Sequence, residues 1–550
     1  MHTVITMVPY VPTGRTWFRP RSFAWCLLFA FCTACGAGAL GVYETDPVDS
    51  TLRSLGFRRT GLPIVARQVE LRVMARYDTF HTLDFAGLEQ VRRMETETNV
   101  RVVWDTVPSE EWSDVLELRF AGDDLPDVLL RPVDRIAQLR YGSRGLLLPL
   151  RELVERYAPN LQQLYAQHPG LLERATSPDG ALYALPGPAQ WEFNVNPDQM
   201  LINQEWLDRL DLPIPRTMAE FEETLRAFKT QDPGATGRAD EIPLSFRWST
   251  RSQGPYSLFG MFGMPDDPGR HLTVRDGQAV FTANTPEHRA ALEWFHALYA
   301  EGLVDPEAFI QDHHQYAAKG STHPRRYGVF FDWDGVNVVG ADAIASGEYV
   351  AVPPLVGPSG ERVWSFDPGA AINHGEAAIT SAVRHPEIAI RWLDALADPL
   401  VNLQWSIGPF GTTLARDGDL IIWADAPPGT GWGEFRHSHS LGRSAPVFWS
   451  SMTLRVQPNA SIAGKIATLA LYEPHFPDEY YPDVFYTVEE ADELATLRLT
   501  IAALVSRQQA EWIVAGGIAE GWADYQNRLE QAGLERYMEI HQAALDRAVR

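Results

Sequence analysis

The chain has 550 residues, 71 acidic against 47 basic, and a net charge of −24. That balance excludes nucleic acid and anionic membrane surfaces as partners, because both need basic patches. All three cysteines, Cys26, Cys32 and Cys35, lie at the N-terminal end, so the body beyond them lacks disulfides, cysteine zinc sites and a cysteine nucleophile.

Arg15, Arg19 and Arg21 form a basic stem, Phe23 to Phe31 a short apolar run, and Cys32-Thr33-Ala34-Cys35 closes it. This is the pattern of an export signal, and the run is too short for a bilayer, which takes ~20 residues. The closing residues resemble a bacterial lipobox, with Cys32 where an aliphatic residue is usual. The expectation is a signal peptide over 1–34, cleavage before Cys35, and acyl chains such as palmitate on the Cys35 thiol. Such chains would anchor an extracytoplasmic protein to the cell membrane. A plain secretory signal with a stray cysteine is the alternative. Residues 35–68, with Gly, Pro, Asp, Ser and Thr and no sustained period, read as a flexible tether, or else as an irregular strand or a short capping element.

The body opens with alternating Val69, Leu71 and Val73, a strand pattern. A helix carrying Leu88, Val91 and Met94 follows, then a strand with Val100, Val102 and Trp104. Trp112, Val115, Leu116 and Phe120 lie at helical spacing. Val128 to Leu130 is a short buried strand, and a helix spans Ile136 to Tyr141. Strands alternating with helices predict an α/β fold with a parallel sheet. No Gly-x-Gly-x-x-Gly follows any of these strands, which argues against a dinucleotide site. Farther on, Thr285-Pro286-Glu287 has the chemistry of a helix start. Trp522, Tyr525 and Leu529 share a helix face that reads as core.

The run LEQVRRMETETNVRVVWDTVPSEEWSDVLELRFAGDDLPDVLL, Leu88 to Leu130, resembles the family 1 extracellular solute-binding proteins of ABC importers. It is most similar to their oligosaccharide-binding lipoprotein branch. Asp179 to Gly187, Met200 to Pro233, Ala291 to Phe309 and Trp522 to Arg547 resemble the same branch in the same order. The resemblance implies a two-lobed, periplasmic-binding-protein-like (type II) α/β fold with hinge strands and C-terminal helices. It implies a first lobe over 69–200 plus 327–373 and a second over 201–326 plus 374–550. It also implies a monomer that carries an oligosaccharide to the permease and ATPase subunits of an ABC importer.

Asp232 to Glu241 resembles that branch's calcium loop, in which side chains at positions 1, 3, 5, 9 and 10 and a carbonyl at 7 surround the ion. Asp232, Asp240 and Glu241 keep the acidic positions, and Arg238 offers a carbonyl. Gly234 stands where an oxygen is expected, and Thr236 offers only a hydroxyl. A surface turn without an ion is the alternative, and no other cofactor is expected.

Sugars present apolar C–H faces and polar edges, so a sugar cleft wants flat rings bordered by carboxylates and amides. Trp191 with Glu192, Trp248, Asp332-Trp333-Asp334 and Trp364 supply that mixture outside helical spacing. Trp405, beside Gly408-Pro409, reads as a loop aromatic. The resemblance implies that Trp333, following the strand Tyr327 to Phe331, stacks on ligand near the hinge. That strand is expected to cross back to the first lobe. Asp332 and Asp334 face the same way if the strand continues. Ordinary core is the alternative for Trp248 and Trp364. The acidic borders favour a neutral sugar over an acidic one, although Arg247, Arg251 and Arg362 could still serve an acidic sugar. Two rivals remain. One is a glycan-active surface hydrolase using a carboxylate pair, although no Gly-x-Ser-x-Gly elbow or metal-ligand spacing supports catalysis. The other is a sugar sensor or adhesion partner without transport.

Overall fold

The computed structural model describes residues 50–77, 81, 84–109, 111–122, 124–131, 133–196, 198–248, 250–367, 372–427, 430–450 and 453–549. The signal and Cys35 lie outside the described residues.

Strands β1 (Val69–Tyr77), β2 (Val100–Pro108) and β3 (Val128–Leu130) form the parallel part of a first sheet. The helix Glu89–Thr98 makes the first crossover, burying Val91 and Met94. It stops at Asn99, whose φ of 58° is a left-handed cap that asparagine tolerates. Trp112–Ala121 makes the second crossover and buries Trp112, Leu116 and Phe120. β4 (Leu185–Pro188) and a late strand, β11 (Ile372–Ile379), complete the order β2-β1-β3-β11-β4.

A second sheet is built from β5 (Gln199–Asn203) and β6 (Ile242–Ser245). Beyond the hairpin β7 (Leu272–Arg275) and β8 (Gln278–Phe281), the strands β9 (Tyr327–Asp332) and β10 (Tyr349–Ala351) complete it. The order is β10-β5-β9-β6, with β9 antiparallel to β5 and parallel to β6. The β7–β8 turn is Asp276-Gly277, with φ of 53° and 72°, the doubly left-handed turn that Asp-Gly favours.

β11 (Ile372–Ile379) returns to the first sheet, antiparallel to both β3 and β4. A small third sheet holds β12 (Leu414–Asp417), β13 (Leu420–Trp423) and β14 (Val456–Gln457). Long helices close the chain at Val488–Ala515, Ile518–Gln531 and Leu534–Val549.

Two main cores result, one per lobe. The first sheet packs Val73, Val91, Leu130, Leu164, Ile379 and Trp392 together. The second sheet packs Ile202, Phe221, Phe246, Phe295 and Val329 with Trp512 and Tyr525 of the C-terminal helices. Burying each such side chain contributes roughly 1.5–3 kcal/mol, so each lobe has its own source of stability. The chain passes between the sheets from β4 to β5 and again from β10 to β11. These two passages touch where Asp367 N–H donates to the Val195 carbonyl at 2.8 Å.

Three boundary expectations change. β9 belongs to the second lobe, because every one of its positions is buried and such a strand reads alike for either sheet. Residues after 373 do not simply continue the second lobe. β11 and the helix Pro386–Leu396 pack into the first, with Trp392 fully enclosed. The tether is shorter than 35–68: helix Ser50–Leu55 docks through Leu52, and Ile64 and Val65 are wholly buried in the first core. The capping alternative describes 50–68 better.

Candidate functional site between the lobes

Parallel strands expose their carboxyl ends on one edge of a sheet, where α/β folds place ligands. In the second lobe that edge carries the ends of β6 and β9. β9 stops at Asp332, and a turn follows instead of more strand. The Asp332 carboxylate closes it, accepting from Asp334 N–H at 2.7 Å and the Asn337 amide at 3.0 Å, and also from the Gln253 amide. Asp332 and Asp334 therefore do not project side by side along a strand. Burial pushes the Asp332 carboxyl up to about 6, against these donors. Asp334 accepts from Val336 N–H at 3.2 Å and Ser461 Oγ at 2.8 Å, and lies 3.5 Å from Lys465 Nζ.

The Lys465 ammonium sits over the Trp333 ring, a cation–π contact. Burial pulls Lys465 down to about 7, partly opposed by Asp334 and Asp332. Half-buried Trp333 packs on a tryptophan cluster containing Trp191, Trp423, Trp432 and Trp449. Trp191 meets Trp423 edge-on at 5.4 Å, and Trp423 stacks on Trp432 at 5.5 Å. The structure thus brings Trp191, Asp332, Trp333 and Asp334 together. Glu192 begins the short turn Glu192–Val195 between the lobes; its side chain lies outside the description.

Trp248 sits just past β6, with Tyr256 at 5.1 Å and Phe309 at 5.5 Å, and its Nε1–H donates to Ser506 O at 3.3 Å. Trp364 is 1% exposed and stacks on Tyr472 at 4.4 Å. Trp405 lies in the helix Pro399–Ile407, not in a loop, and is fully buried between Trp104 and Trp392. Both rings are enclosed in core, because packing from distant segments closes over them.

A second feature escaped sequence reasoning. The loop after β3 and the start of β11 face the C-terminal helices across a chamber of about 310 Å³. Gly375 permits this, since a Cβ there would fall 1.9 Å from Val133 O. Arg131 pairs with Glu376 at 3.2 Å, and Asp134 caps the helix Arg135–Gly142. Across the gap, Arg135 meets Asp483 at 3.0 Å, and Arg140 and Arg144 meet Asp492 at 3.0 and 2.9 Å. His374 also pairs with Asp483. The available signal was the charged helix start directly after a buried strand, Asp134-Arg135; its partners lie far along the chain.

In the loop from Asp232, the carboxylate accepts from Thr236 N–H and Gly237 N–H, both at 2.9 Å. Thr236 Oγ1 lies 3.3 Å from Asp240 Oδ1 and 3.4 Å from Arg238 O. Glu241 Oε1 is buried without a hydrogen-bond partner. Burial, aided by the facing Asp232, pushes the Glu241 carboxyl up. This orphaned oxygen beside gathered oxygens fits a hard cation. Among the described residues no three acidic or histidine side chains form a ligand set, so the hydroxyl, the carbonyl and water would have to contribute.

A family model described as bacterial extracellular solute-binding protein matches residues 86–400. The fructooligosaccharide ABC transporter substrate-binding protein FusA of Streptococcus pneumoniae is 30% identical over 478 residues, covering 83% of this chain and 86% of FusA. The structure of FusA with kestose superposes at a TM-score of 0.81 with 29% identity, covering 87% of this chain and 99% of that one. An EF-hand mutant of FusA with fructo-nystose superposes at 0.80 with 28% identity and the same coverage. The chain belongs to the bacterial extracellular solute-binding protein family.

Proposed function

We propose that this protein captures an oligosaccharide between its lobes and hands it to the permease and ATPase subunits of an ABC importer. The observation that carries this reading is the similarity to FusA, which spans both lobes. Half-buried Trp333 offers the ligand a flat ring, and the locally satisfied Asp332 and Asp334 hold it in place over the buried Trp191 cluster. Trp248 stands at the end of the neighbouring strand. The passages β4 to β5 and β10 to β11 act as hinges, and a ligand touching both lobes favours closure by its differential affinity. The ligand leaves chemically unchanged. The protein works as an extracytoplasmic monomer, held to the membrane by acyl chains on Cys35.

The direct test is a thermal-shift screen over oligosaccharides that includes kestose, repeated with Trp333→Ala. A ligand-induced rise of several degrees is expected for the wild type and its loss for the variant. If the rise survives intact, ligand does not stack on Trp333. Calcium would sit among Asp232, Thr236, Asp240 and Glu241 with the Arg238 carbonyl, and would cross-link the loop; the buried, unpartnered Glu241 Oε1 beside these oxygens supports this reading. Calcium should then raise the melting temperature and chelator lower it, and Asp240→Ala should abolish the difference. Identical melting with calcium and with chelator defeats the calcium reading.

A further inference from the structure

The chamber between the lobes is unusual in its balance of donors and acceptors. Arg135 has only 10% of its side chain exposed. Its Nε lies 3.0 Å from an Asp483 carboxylate oxygen in an ion pair, and Nη2 donates to Arg174 O at 2.9 Å and to His374. Its Nη1 is buried with no hydrogen-bond partner. Arg498 lines the chamber from the helix Val488–Ala515, and no hydrogen bond or ion pair joins it to a described residue. Arg270 lines the same space, tied by its Nε to Asp267 at 3.3 Å. The His541 Nε2 in that wall is buried without a hydrogen-bond partner, and whether it donates or accepts depends on the tautomer.

The acceptors are largely spent. Asp483 serves Arg135 and His374, and Asp134 serves the Ala137 N–H at 2.7 Å. Glu376 Oε2 accepts from Val447 N–H at 2.5 Å and pairs with Arg131. Its Oε1 is buried and has no hydrogen-bond partner. Burial pushes the Glu376 carboxyl up to about 7, against the pull of Arg131 and the Val447 N–H.

Unused donors from both lobes therefore converge where little accepts. A guanidinium fork matches a carboxylate in geometry and charge. Ile136, Ile372, Val484 and Leu494, with the rings of Tyr486 and Tyr537, supply apolar faces in the same walls. The volume of about 310 Å³ is at the small end of ligand pockets, which suits a single sugar unit better than a long oligomer.

We propose that the chamber is a subsite for a carboxylate-bearing sugar unit, a uronate, whose carboxylate pairs with Arg135 of the first lobe and Arg498 of the second. This rests on the saccharide-binding reading and departs from the neutral ligand expected of the acidic borders around Trp333. A carboxylate bridging two arginines on opposite lobes would also favour the closed form.

The test is isothermal calorimetry of the full mature protein with four probes: an oligogalacturonate, its methyl ester, a sulfated oligosaccharide and neutral kestose. The oligogalacturonate should bind, and its methyl ester should bind at least about tenfold more weakly, the scale of a lost charge-assisted hydrogen bond. Arg498→Gln should weaken the oligogalacturonate similarly. If that variant does not fold, the ester comparison on the wild type decides alone. Equal affinity for acid and ester overturns the subsite, as does binding of the sulfated but not the carboxylated probe. Kestose binding without oligogalacturonate binding overturns the subsite while leaving the saccharide reading intact. Failure of every saccharide defeats the saccharide reading itself.

Discussion

The turn at the end of β9 and the chamber beside Arg135 are both rich in buried charge, and they use it in opposite ways. At the turn, each carboxylate is consumed locally. Asp332 takes donors from Gln253, Asp334 and Asn337, and Asp334 takes Ser461 and Val336. Lys465 covers the Trp333 ring. In the chamber, Arg135 Nη1 and Glu376 Oε1 remain without partners. A satisfied network fixes a shape, whereas an unsatisfied one is costly unless something completes it. The turn therefore holds Trp333 in place, and the chamber has binding capacity to spare.

Substitution separates the two roles. Asp332→Ala would strand the Gln253 and Asn337 amides and the Asp334 N–H in a buried place. The expected loss of stability is about 1–3 kcal/mol, read as a lowered denaturant midpoint with an unchanged slope. Asp332→Asn should cost less, because the amide oxygen still accepts from Asp334 and Asn337. Gln253 would then have to turn its own amide, giving up the 2.7 Å bond from Arg247. Arg498→Gln should leave the unfolding free energy within about 0.5 kcal/mol of wild type. Equal losses for Asp332→Ala and Arg498→Gln would erase the distinction between a satisfied and an unsatisfied site.

Local features were legible from sequence. The alternation in β1 and β2 matched a parallel pair, and Thr285 caps its helix by accepting from His288 N–H at 3.2 Å. The grouping Asp332-Trp333-Asp334 at a strand end could also be read. Sheet membership could not, because β9 is buried on both faces and carries no mark of its lobe. Nor could the fate of single tryptophans: Trp364 and Trp405 have polar neighbours in sequence, yet Tyr472, Trp104 and Trp392 close over them in space. Lys465 on Trp333 and Arg498 in the chamber join residues far apart in the chain, and no local period reports such meetings.

The smallest expected effect is on pH dependence, and it divides the two regions again. Burial raises Asp332 to about 6 and Glu376 to about 7, and it raises Asp198 to about 7 and Asp394 to about 6 elsewhere. A carboxyl with a raised folded pKa holds its proton more tightly when folded. Its stabilisation is complete below the unfolded value of ~4 and is lost as pH rises through the folded value. Lys465, lowered to about 7, holds its proton less tightly when folded, so stability returns as pH climbs from there towards ~10.4. Buried His288 and His541, lowered to about 4 and about 3, gain stability as pH rises to ~6.5 and offset part of the carboxyl loss. The four carboxyls outnumber them, so melting temperature should fall from about pH 4.5 to pH 7 and recover above it, by a few degrees in each arm. Lys465→Met should remove most of the alkaline recovery, since its ammonium at the β9 turn is the group that supplies it. Glu376→Gln, in the chamber, should shorten only the acid arm. A melting temperature that peaks at pH 7, or a Lys465→Met profile that keeps its alkaline rise, would mean that Lys465 stays charged against Asp334 across the whole range and that the turn is more solvated than its packing implies.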